Sequence, residues 1–179
     1  MKGAKITLPN GKKFALVARS GSYSIIWQAL PESSRSPVGN RWHPINATTD
    51  NMGSPLIEED LISLCCLVRN PVERFRSACA RQKVSIEEGL TLKNYDVHFW
   101  SLEDMGLLAQ GVNHFAFPDQ INECAEWLGL SVPVPQMNEE AEEMKPTLSP
   151  AQELLVRELY AADMALWESL QKKFFMSFG

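Results

Sequence analysis

Residues 61–81 read LISLCCLVRNPVERFRSACAR, and the change of pattern in their middle decides the fold. Residues 61–68 form one continuous apolar run, which predicts a strand buried on both faces, as in a parallel sheet. The run stops at Asn70-Pro71. Proline suits the first position of a helix, where no N–H donor is needed. Val72, Phe75, Ala78 and Cys79 then recur at helical spacing. A buried strand passing directly into an amphipathic helix is the repeating element of an α/β layer fold.

The flanking sequence repeats this alternation. Residues 13–18 (KFALVA) follow the turn signal Pro9-Asn10-Gly11 and predict a strand, and residues 23–30 predict a helix. A short helix is predicted over 85–92, with Ser85 as its cap and Glu88 completing a capping box. Residues 112–117 (VNHFAF) predict a strand, and 118–128 a helix closed by Gly129. Residues 149–175 predict one long helix, capped by Ser149, started by Pro150 and lined by Leu155, Leu159, Ala162, Leu166 and Leu170. Residues 31–55 are rich in Ser, Pro and Asn and read as a long loop, with a short strand near 41–45; 133–146 reads as an acidic linker. The 179 residues, without internal repeats, suit a single domain over 1–179. Its expected class is α/β, a mainly parallel sheet flanked by helices.

Composition narrows the function. A formal net charge of −5 argues against nucleic acid as a partner, because neutralising a phosphate backbone requires a basic excess. Any anion site must be a local basic patch. The four cysteines form no CxxC pair, and Cys65 and Cys66 read as small buried hydrophobes of a reducing compartment. The N-terminal residues lack a signal-peptide core, and no apolar run is long enough to span a bilayer. A cytoplasmic protein without membrane partners is expected. No cluster with metal-ligand spacing stands out.

Two segments have the chemistry to bind phosphate. In the first, a turn of small residues (Ser20, Gly21, Ser22) opens a helix and aims backbone N–H groups at one point. Ser20, Ser22 and Ser24 add hydroxyls, and Arg19 adds a permanent cation. The spacing is not that of a Walker A motif. In the second, Arg69 closes the buried strand, and Arg74, Arg76, Arg81 and Lys83 follow with only Glu73 opposing them. Guanidinium forks match phosphate oxygens. On spacing alone, the same arginines fit a solvated helix face with Arg74 paired to a carboxylate.

The segment RNPVERFRSAC at 69–79 closely resembles the R-(D/N)-P-x-x-R-x-x-S-x-Y segment of sulfotransferases. In that family it holds the 3′-phosphate of 3′-phosphoadenosine 5′-phosphosulfate (PAPS), and Arg69 and Ser77 fall on the two phosphate-binding residues. Cys79 stands where the family has Tyr. Upstream, ALVARSGSYSIIWQAL at 15–30 is similar to the family's 5′-phosphosulfate loop, P-K-x-G-(T/S/C)-(T/S). Arg19 then stands on the Lys, Gly21 on the Gly and Tyr23 on the final Thr. Downstream, NYDVHFWSLEDM resembles the D-x-H-W region of the carbohydrate-type branch and puts His98 on its His. Asn138 and the final helix, with Tyr160 and Asp163 in a Y-x-x-D pattern, resemble that branch's C-terminal end.

The resemblance implies a P-loop NTPase-like sulfotransferase fold and transfer of a sulfuryl group from PAPS to a hydroxyl acceptor, with sugars favoured. The nucleotide would lie against Arg19, Ser20, Gly21, Ser22, Tyr23, Ser24, Arg69 and Ser77, with Arg19 neutralising the leaving phosphate. The general base is open between His43 in the long loop and His98, with Glu58, Glu59, Asp60 and His114 as further candidates. Trp27, Trp42 and Trp100 are candidates to line an acceptor cleft. The alternative is a non-catalytic nucleotide-binding or interaction protein on the same fold. An ATP-using kinase fits less well, because the Walker A motif is incomplete.

Overall fold

The computed structural model describes residues 4–29, 54–135 and 141–176. The 31–53 part of the expected loop, its short strand, Trp42, His43 and Asn138 lie outside the described residues.

Five strands form one mixed sheet in the order β3-β1-β2-β4-β5. They are β1 (Ala4–Thr7), β2 (Lys13–Ala15), β3 (Ser54–Pro55), β4 (Leu64–Arg69) and β5 (Asn113–Phe117). Seven described α-helices accompany them: α1 (Ser22–Ala29), α2 (Pro71–Gln82), α3 (Ile86–Leu92), α4 (Leu102–Met105), α5 (Ile121–Leu128), α6 (Pro150–Leu159) and α7 (Ala161–Met176).

The α/β class is as expected, but the sheet is mixed rather than mainly parallel. β2, β4 and β5 run parallel, whereas β1 pairs antiparallel with both β2 and β3. The cause lies in Pro9-Asn10-Gly11, whose Gly11 has φ +81°. Only glycine adopts that conformation readily, so the turn folds β1 back on β2 as a hairpin.

β4 explains the layers. Leu64, Cys65, Cys66, Leu67 and Val68 are all buried, and alternate side chains face opposite ways. Cys65 and Leu67 join Phe14, Ile25, Cys124 and Leu128 beneath α1 and α5. Cys66 and Val68 join Val17, Leu102, Met105 and Leu170 beneath α4 and α7. A third cluster, including Phe75, Cys79, Phe99, Val156 and Tyr160, ties α2 and α3 to the C-terminal helices.

β2 ends at Ala15 rather than 18 and α5 starts at Ile121 rather than 118, and two further boundaries differ for reasons the packing shows. β4 starts at Leu64 because residues Glu58–Ser63 coil into a 3-10 turn. Within it Ile62 is 87% exposed, and Asp60 is buried against Lys5 and Lys13. The predicted long C-terminal helix is broken at Tyr160, whose hydroxyl donates to the Phe99 carbonyl. Its inward face carries Val156, Tyr160, Asp163 and Met164, while Leu155 and Leu159 are exposed. Buried Asp163 sets that rotation by pairing with Arg74 at 3.1 Å and accepting the Leu102 N–H.

Candidate functional site

β4 and β5 end together at Arg69 and Phe117, and open α/β sheets bind ligands outside such carboxyl ends. Three segments meet there: the turn after β2, the β4–α2 junction and the end of β5. Gly21 opens α1, its carbonyl accepting the Ser24 and Ile25 N–H groups at 3.0 and 3.4 Å. Its φ is +77°, and a Cβ at this position would stand 2.4 Å from the Phe117 ring. The turn therefore packs directly on β5, and glycine is required both for the backbone conformation and for the close approach. The Arg69 guanidinium lies 5.8 Å over the same Phe117 ring.

Arg19 is fixed at both ends. Its backbone has φ +63°, uncommon for a side chain with a Cβ. Its carbonyl accepts from Arg69 Nη1 at 3.0 Å, and its Nε and Nη2 donate to Ser77 Oγ at 3.0 and 2.9 Å. Arg19, Arg69 and Ser77 thus form one contact group, although 50 and 58 residues separate Arg19 from the others. Ser77 is fully buried beneath Arg19. Ser22 Oγ donates to the Val17 carbonyl at 2.7 Å. Ser24 is buried within α1, and Ser20 is fully buried with its hydroxyl unpartnered among the described residues.

The remaining arginines of α2 divide by function. Arg74 is buried with Asp163, and Arg76 pairs with Glu73 and Glu142 at 2.7 Å each. Both are structural. Arg81 makes no hydrogen bond or ion pair with any described residue and lines a cavity beside the turn.

That cavity has a volume of about 670 Å³ and brings Arg19, Ser22 and Tyr23 together with Arg81, His98 and Trp100. Asp96 Oδ1 accepts from the His98 backbone N–H at 2.8 Å and lies 2.7 Å from His98 Nδ1. Gln82 Nε2 stands 2.5 Å from the same ring nitrogen. Burial opposes ionisation of Asp96, but the two His98 contacts outweigh it and hold the carboxyl below its ordinary value. Donation from Nδ1 to the Asp96 carboxylate leaves Nε2 as the acceptor nitrogen, whereas donation from the Gln82 amide to Nδ1 calls for the other tautomer. Nε2 has no hydrogen-bond partner among the described residues.

The other candidate bases lie elsewhere. Asp60 is buried at the amino end of β4, between two lysines. His114 is held by the Leu107 carbonyl at 2.7 Å, and burial pushes its pKa down. Trp27 packs on the core below α1 and α5. Asp96, Gln82 and the position of Arg81 were not singled out as site residues from sequence, although D-x-H spacing marks Asp96 as able to fold back onto His98. Among the described residues there is no group of three or more His, Cys, Asp or Glu side chains placed to hold a metal ion. No helix of the described residues is long and apolar enough to cross a membrane. No protein family, curated protein or solved structure matches the chain.

Proposed function

We propose that the protein is a PAPS-dependent sulfotransferase acting on a hydroxyl acceptor, built on a P-loop-like sulfotransferase fold. The observation that carries this reading is the convergence of the two phosphate-binding segments on one contact group, Arg19–Arg69–Ser77, at the carboxyl ends of the parallel strands. The resemblance assigns one segment to the 3′-phosphate and the other to the 5′-phosphosulfate. Adenosine 3′,5′-bisphosphate (PAP) joins these two groups in one ligand.

In the reaction, the acceptor oxygen attacks sulfur, and the bond from sulfur to the 5′-phosphate oxygen breaks. Arg19 and the N–H groups opening α1 take up negative charge on the leaving phosphate. His98 Nε2 accepts the acceptor's hydroxyl proton, and Asp96 stabilises the resulting imidazolium. Positioning and charge neutralisation supply the catalysis, as in phosphoryl transfer.

One observation favours the second reading, a non-catalytic nucleotide-binding or interaction protein. Ser77 Oγ already accepts two hydrogen bonds from Arg19 and has no exposed surface. Transfer of radiolabelled sulfate from PAPS to a panel of alcohols and phenols separates the two. The enzyme reading expects labelled product, with Arg19→Ala slowing turnover more than it weakens PAP binding. PAP binding without transfer to any acceptor would establish the second reading.

A further inference from the structure

The cavity combines features that a polar sugar acceptor does not need. Leu16, Val17, Ile26, Val97 and Trp100 give it apolar lining. No Asp or Glu among the described residues lines it. Arg81 nevertheless reaches it without an ion pair to any described residue, in contrast to Arg74 and Arg76 on the same helix. An uncompensated guanidinium against apolar walls gains most from an anionic partner. Arg81 lies one turn beyond Ser77, and its neighbour Gln82 touches His98. Arg81 and His98 therefore line the same cavity. The volume of about 670 Å³ is that of a small-molecule site.

We propose that the acceptor is a small, largely apolar hydroxy acid, and that Arg81 binds its carboxylate while the hydroxyl reaches His98. Arg81 is then a specificity-determining residue that discriminates against neutral sugars. This inference rests on the sulfuryl-transfer reading for the role of the hydroxyl, but the anion site is testable without turnover.

The test is calorimetry on the full chain with para-hydroxyphenylacetate and its uncharged amide, with PAP titrated separately. The acid should bind about tenfold more tightly than the amide, the scale of one charge-assisted hydrogen-bonded pair. Arg81→Gln should erase that preference and leave the affinities for the amide and PAP unchanged. Arg81→Lys should retain part of it, which guards against a folding defect in the glutamine variant. The inference is overturned if the wild type fails to bind the acid or shows no preference, or if the preference survives Arg81→Gln. It is also overturned if Arg81→Gln weakens PAP as much as the acid, because the cation then belongs to the nucleotide. A preserved acid preference with no PAP binding would uphold the anion site and remove the sulfotransferase reading.

Discussion

Asp96 and His98 are separated by one residue, and Asp96 Oδ1 reaches both the backbone and the ring of His98. If His98 is the base, Asp96→Asn should lower kcat by about tenfold to a hundredfold, no more than the lower end of what a general base contributes, and leave the acceptor KM nearly unchanged. Equal kcat in the variant and wild type would show that the carboxylate merely shapes the loop. Asp60 makes a different kind of pair. Burial opposes its ionisation, but hydrogen bonds from Lys5, Ile57 and Lys13 prevail and bring its pKa down to about 2. Because the folded value lies below the unfolded one, its stabilisation is present above the ordinary carboxylate pKa and fades as pH falls toward about 2. Asp60→Asn should therefore lower Tm most near neutral pH, and the gap from wild type should narrow between about pH 4 and pH 2. A gap independent of pH would mean that the charge is not what matters.

At the scale of elements, the junction at Arg69–Pro71 was the most legible part of the chain. The apolar run, Asn70 and Pro71 each act locally, and Asn70 Oδ1 caps α2 by accepting the Val72 and Glu73 N–H groups at 2.9 and 3.3 Å. Asn70→Ala should cost about 1 kcal/mol of stability by denaturant titration. An unchanged midpoint would show the cap to be dispensable. The β1–β2 hairpin was missed because its turn signal follows a first strand of only four residues, too short to show alternation. The break at Tyr160 was missed because the spaced leucines of α6 suggest an inward face that Asp163 and Tyr160 take instead. A buried ion pair between residues 89 apart leaves no periodic trace. The same limit hid the site's organisation: Arg19, Arg69 and Ser77 could be chosen by type, but not the contacts among them.

For the whole molecule, two structural systems meet along α2. Toward the C-terminal helices, Arg74, Phe75 and Cys79 belong to the core, and burial pushes the Cys79 thiol up to about 12, so it is a packing residue rather than a nucleophile. Toward the sheet's carboxyl edge, Ser77 and Arg81 face the turn that carries Arg19. One helix thus fixes the domain and orients the proposed nucleotide and acceptor groups. Calorimetry with PAP and with adenosine 5′-monophosphate, which lacks the 3′-phosphate, tests most directly whether Arg69 serves that phosphate. PAP should bind the wild type at least about tenfold more tightly, and Arg69→Ala should bring PAP down to the level of the monophosphate. No binding of PAP, or equal losses for both ligands in Arg69→Ala, would contradict that role.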